Sequence, residues 1–266
     1  MIAFQSAKSR AGLTLLELVV VLGILVILAS LVVPNVGGLI FQSRNAGNAA
    51  LVQDVNHAVN TYVARFASHP DRWDSLLTST NTIFTKLHPQ MLTSSVSRPI
   101  LQVTALQPNQ VTSLREAGIT SLIDVDESST NPPSDNASVA RPITGTVSVL
   151  TLQKTPSAPN YGVTFLDQAF GINDIVDPNK PNRYANEFVV LGLGTQNAMR
   201  GTTMTDIPIV QSATPFNYYA RILCVYMIPP GGGSSERARY IGCFLPDGST
   251  IQGNIRDFNS TAAYDK

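Results

Sequence analysis

Charged side chains are scarce in this sequence, and cysteine is scarcer. Lys, Arg, Asp and Glu make up 14% of the 266 residues, with 18 bases set against 18 acids. That balance gives no electrostatic footprint for nucleic acid. Histidine occurs only as His57, His69 and His88. None is spaced i, i+4 from another or lies near a Cys, so neither a metal site nor a triad is expected from them. No Ser stands in a Gly-x-Ser-x-Gly elbow. Gly192-Leu193-Gly194 lacks the spacing and the helix start of a nucleotide-binding loop. Asp124, Asp126 and Glu127, and separately Asp174 and Asp177, bring acids together in loop-like stretches. Such oxygens can gather around Ca²⁺, although loop clusters are more often solvated turns. Asp174 and Asp177 are thus weak calcium candidates, no cofactor is otherwise expected, and the chain does not read as an enzyme.

One long apolar run is present. From Leu13 to Val33 the residues are almost all apolar, except for Glu17. About 20 such residues in a helix cross the hydrocarbon of a bilayer. A carboxylate at the bilayer centre costs roughly 2.5–3.5 kcal/mol by insertion scales, and less toward the interface, so Glu17 calls for a partner or a purpose. Lys8 and Arg10 precede the run and no Lys or Arg follows until Arg44. The positive-inside rule therefore predicts a cytoplasmic N-terminus with the remainder outside. A secretory signal has a shorter apolar core ending in a small-x-small cleavage site, whereas this core ends in Val32-Val33-Pro34.

Gly12 followed by Leu13-Thr14-Leu15-Leu16-Glu17 resembles the class III leader junction of type IV pilins and type II secretion pseudopilins. The short basic leader ending in Gly12, the acid at the fifth residue beyond it and Pro34 at the twenty-second match that pattern. Leu13 stands where Phe is commoner. The resemblance implies cleavage between Gly12 and Leu13 by a prepilin peptidase, with methylation of the new amine. It also implies an assembly ATPase and a polytopic platform protein as partners, besides the chain itself and other pilins. Physically, the Leu13 amine of a neighbouring subunit could neutralise Glu17 inside an apolar bundle and fix register, one attested use of buried ion pairs. Snorkelling of Glu17 to the headgroups of a plain anchor is the alternative. Pro34 either ends the membrane span or marks a segment that unwinds on packing.

Beyond Pro34, Gly37-Gly38 make Asn35–Gly38 a predicted weak point in the helix. Val52, Val55, Val59, Tyr62 and Phe66 then recur at spacings of three and four, an amphipathic stripe to about Ala67. His69-Pro70-Asp71 ends the helix, and Trp73, Leu76 and Leu77 suggest a short satellite helix. A strand from Pro99, a helix over Gln110–Ala117 stopped by Gly118, and a strand over Ile119–Val125 follow. The polar, Pro-rich stretch Asp124–Pro142 reads as a surface loop. Gly145–Leu152 alternates like a strand, Pro156–Tyr161 reads as a turn and Phe165–Ile175 as a helical piece. Phe188–Leu193 is a β-prone run.

Tyr219–Ile228 and Arg239–Leu245 are strand-like and joined by Pro229-Pro230-Gly231-Gly232-Gly233-Ser234-Ser235. Folded about Gly233 or Ser234, this hairpin places Cys224 nearly opposite Cys243, either as a disulfide staple or as two buried thiols. Many pilins carry a C-terminal disulfide, which the pair resembles. The expected fold is α+β and pilin-like: a long N-terminal helix, transmembrane in its first half, packed on a globular head with an antiparallel sheet. Its parts are a leader over 1–12, a membrane or filament-core helix over 13–34, an amphipathic continuation over 35–67 and a head over 68–266. The function so implied is a structural subunit of a type IV pilus-like filament. It would be held in the inner membrane, N-terminus in, and then become extracellular. A pseudopilin of a type II secretion system, forming a periplasmic pseudopilus, is the alternative. A membrane-tethered enzyme or binding protein is the reading from a different class.

Overall fold

The computed structural model describes residues 15–88, 91, 101–125, 139–152, 186–210, 218–233 and 235–246, and within them the side chains of 28–42, 44 and 45 are left undescribed. Helix α1 spans Leu15–Phe66. It runs without a break through Asn35–Gly38, the predicted weak point. The chain divides into two compact units, Met1–Gly47 and Asn48–Lys266. The division falls inside α1.

In the first unit the described apolar side chains are exposed, from Leu15 at 82% to Ile27 at 62%. Glu17 lies in the first turn of α1, where the positive end of the helix dipole favours a carboxylate.

Among the described residues the second unit has eight strands: β1 Trp73–Asp74, β2 Leu101–Ala105, β3 Ser121–Asp124, β4 Val139–Pro142, β5 Ser148–Leu152, β6 Glu187–Gly192, β7 Leu223–Ile228 and β8 Arg239–Phe244. One path runs β2-β5-β6-β1-β3-β4, while β7 joins β6 and carries β8. Helix α2, Pro108–Ala117, connects β2 to β3. Pro108 stands at its start, and Gly118 closes it in left-handed conformation at φ 102, which only glycine adopts without a Cβ penalty.

The expected fold class is corrected by these findings. The sheet is mixed, because β1 pairs in parallel with β3 while every other strand pairing is antiparallel. Among the described residues no helix is long and apolar enough to cross a membrane. The expectation of a long N-terminal helix, transmembrane in its first half and packed on the head, is corrected with it, since only the part of α1 from Asn48 onward belongs to the unit that holds the sheet.

Two local readings change as well. Trp73 begins strand β1 rather than a satellite helix, because Trp73 and Asp74 pair with Leu122 and Ile123. The end of the expected loop Asp124–Pro142 forms strand β4, with Val139 opposite Asp124 and Pro142 opposite Ser121. Tertiary pairing overrode composition in both places.

Both faces of the sheet are covered, which explains why β6 and β7 read as continuous apolar runs. On one face Val189, Leu191, Cys224 and Tyr226 pack with Val52, Val55 and Val59 of α1 and Val111 and Leu114 of α2. On the other, Phe188, Val190, Leu223 and Val225 pack with Leu76, Leu77, Phe84, Leu87 and Met91. The α1 stripe is core at Val52, Val55 and Val59, half-buried at Tyr62 and exposed at Phe66.

Candidate functional site

The structure separates the residues that the sequence singles out. Gly12, Leu13, Asp174 and Asp177 lie outside the described residues, as do the turn at Pro156–Tyr161 and the helical piece at Phe165–Ile175. Glu17 and Pro34 lie on α1 in the first unit. Cys224 and Cys243 lie in the second, on neighbouring strands. The hairpin brings them to directly opposed positions, and both are buried free thiols. The register shifts between Val225 and Tyr226, just beyond this pair. Burial, together with the Cys243 thiol beside it, pushes the Cys224 thiol up from its ordinary range. A thiol so held is a poor nucleophile.

Around this pair the second half of α1 is fastened to the sheet by polar contacts. Cys243 Sγ donates to the Val52 carbonyl at 3.4 Å and lies 3.6 Å from Asn56 Oδ1. Tyr240 Oη donates to the same Asn56 Oδ1 at 2.7 Å. Just past the helix, Ala67 takes a positive φ of 52, and Arg237 Nη2 donates to its carbonyl at 2.8 Å. A cation there suits the negative end of a helix dipole.

His69 follows, with its backbone N–H on the Ala117 carbonyl at 2.7 Å and its ring edge-on to Tyr226 at 5.3 Å. Burial and the Arg237 guanidinium lower its pKa from 6.5 to about 4. Its Nδ1 is buried without a hydrogen-bond partner among the described residues. An unmet buried nitrogen costs about 1–3 kcal/mol.

A second polar cluster lies at the junction of β1 and β6. Tyr219 Oη donates to Asp74 Oδ2 at 2.8 Å, with both residues buried. Burial, and then the Asp74 carboxylate, push the Tyr219 phenol well above its usual range. Buried Arg221 donates to the Ile207 carbonyl at 2.6 Å. This cluster also accounts for the glycines of Gly192-Leu193-Gly194. A Cβ on Gly192 would meet Tyr219 Oη at 2.0 Å, and one on Gly194 would meet Asp74 Oδ1 at 2.0 Å. Neither Asp74 nor Tyr219 stands out in the sequence. The spaced glycines are the one available signal, since close backbone approach is a standing reason for Gly.

Asp71 is a structural residue. Its carboxylate accepts the backbone N–H groups of Thr120 and Ser121 at 2.9 and 2.8 Å, and the hydroxyls of both. It ties the segment between α1 and β1 to the start of β3. Among the described residues, no group of three or more His, Cys, Asp or Glu could hold a metal ion. The polar groups described in this unit fasten elements to one another. No protein-family profile matches the chain, and no curated protein or solved structure matches it significantly.

Proposed function

We propose that this chain is a structural subunit of a type IV pilus-like filament. The reading is carried by one observation, the junction Gly12-Leu13-Thr14-Leu15-Leu16-Glu17 between the basic residues Lys8 and Arg10 and the apolar run to Val33. A prepilin peptidase cuts after Gly12 and methylates Leu13, and an ATPase and platform protein drive assembly. The precursor is held at the inner membrane with its leader in the cytoplasm, and the assembled subunit is extracellular. Two features support the reading. The apolar side chains from Leu15 to Ile27 are exposed on every side of α1, and a surface of that kind normally meets lipid or protein. Glu17 lies in the first turn of α1, and in the sequence it follows closely on Leu13, whose amine cleavage would create. Lipid and neighbouring helices are about equally apolar, so packing and the Glu17 pairing give assembly its preference.

The test is intact mass and N-terminal peptide mapping of the protein from its native cell, including material sheared from the surface. The expected result is a chain beginning at methylated Leu13 in sheared filaments. The same chain retained in the envelope would favour a secretion pseudopilus. A chain still beginning at Met1 would overturn both.

A further inference from the structure

The last turns of α1, the His69 turn and the start of β8 border an open cavity of about 530 Å³, lined by Asn60, Val63, His69, Arg237, Arg239 and Tyr240 among others. Arg237, Arg239 and His69 are among the residues that line it. The acid among its lining residues is Glu236, whose carboxylate stands 3.8 Å from Arg239 with both side chains 68% exposed. An ion pair that open to solvent holds Arg239 only weakly. Arg237 uses Nη2 on the Ala67 carbonyl and makes no other hydrogen bond among the described residues. The negative end of α1 opposes an anion here, and Arg237 offsets it by covering that carbonyl.

We propose that this cavity is a binding site for a tetrahedral oxyanion, a phosphate group, held between Arg237, Arg239 and the His69 imidazole. The planar guanidinium forks match paired oxygens, and a protonated His69 ring beside them adds a third positive charge at the cavity wall. The groups that face His69 are Glu236 and Arg237 from the segment entering β8, Arg239 and Tyr240 of β8 and Tyr226 of β7. Helix α1 adds the uncharged Asn60 and Val63. Burial and, after it, the field of Arg237 hold the imidazole neutral, and a bound anion cancels the second of these. Binding and protonation are therefore linked: the anion raises the affinity of His69 for a proton, and acid tightens the anion by the same factor.

The experiment uses the full chain in detergent and inorganic sulfate, which stays doubly charged across the titration. NMR follows the ring signals of the three histidines, assigned with His57→Gln and His88→Gln. At matched ionic strength, sulfate is expected to raise the His69 pKa by about one unit relative to chloride, a tenfold preference for the protonated form. His57 and His88 should stay in place. Arg239→Gln should abolish the shift without lowering the melting temperature. A His69 titration that sulfate leaves unmoved, or that moves as far in Arg239→Gln, overturns the proposal and leaves the cavity to water. Free phosphate and a phospholipid headgroup share this chemistry. Bicelles containing phosphatidic acid, with no soluble anion, shift His69 only if the headgroup is the source, whereas a shift with soluble anion alone assigns free phosphate. Neither result depends on cleavage at Gly12, so this site and the filament reading stand or fall separately.

Discussion

At the scale of single residues, the strictest constraints come from buried polar atoms and the backbone that approaches them. Gly194 has no room for a Cβ because Asp74 is buried beside it, held by Tyr219. Gly194→Ala is expected to destabilise the second unit by about 1–3 kcal/mol, the range of overpacked cores, read as a lower urea midpoint with unchanged slope. Gly47→Ala has nothing within 4 Å to strike and lies in α1, so there the same change should be neutral or gain about 0.5–1 kcal/mol of helix stability. His69 gives a pH dependence whose sign is fixed. The unfolded imidazole takes its proton near 6.5, and the folded one resists until about 4. Between those values the unfolded state binds more protons, so this contribution is present above 6.5 and is lost as pH falls toward 4. In melts from pH 7.5 to 4, wild type should lose more stability than His69→Gln, and equal losses would remove His69 as a cause.

At the scale of elements, α1 belongs to two different physical settings. Its first described turns expose apolar side chains, while Val55 and Val59 are fully buried against the sheet. Val59→Ala removes two buried carbons and should cost about 1.5–3 kcal/mol, transfer and cavity together. Its signature is faster amide exchange in the Asn48–Phe66 part of α1 and in β8. Phe66→Ala should change little by comparison, because Phe66 is 47% exposed. The β7–β8 hairpin is pinned differently. Gln110 donates to the Pro229 carbonyl at 3.0 Å, and Asn109 clasps the turn through Pro230 and Gly232. That clasp stabilises the hairpin whether or not its cysteines are bonded.

At the scale of the molecule, the two thiols bear on where the protein works. Cys224 and Cys243 are free in this structure and share one register position. A subunit exported to an oxidising compartment is expected to close that bridge. The loop between them predicts roughly 3 kcal/mol of stabilisation in the chain-entropy account. Denatured protein from the native cell should then take up an alkylating reagent only after reduction. Uptake at both cysteines without reduction would place the folded second unit in a reducing compartment and count against the filament reading.

The features legible in the sequence are local or periodic. The stripe Val52, Val55 and Val59, the stop at Gly118, the β-prone runs of β6, β7 and β8 and the facing of Cys224 and Cys243 all rest on spacing within a few turns or one hairpin. The junction from Gly12 to Glu17 that carries the proposed function is likewise a contiguous string of residues. Folding in three dimensions was needed to set the mixed pairing of β1 with β3, the recruitment of Val139–Pro142 as a strand, the meeting of Asp74 with Tyr219 and the cavity at His69. Each joins segments far apart in the chain. Trp73-Asp74 carries no strand signal of its own and becomes one because Leu122 and Ile123 offer it hydrogen bonds. His69 acquires its altered pKa in part from Arg237, a residue far along the chain whose approach is set by the path of the whole sheet. Spacing in a sequence encodes which faces are apolar, but the partner of a polar group is fixed only when the chain closes on itself.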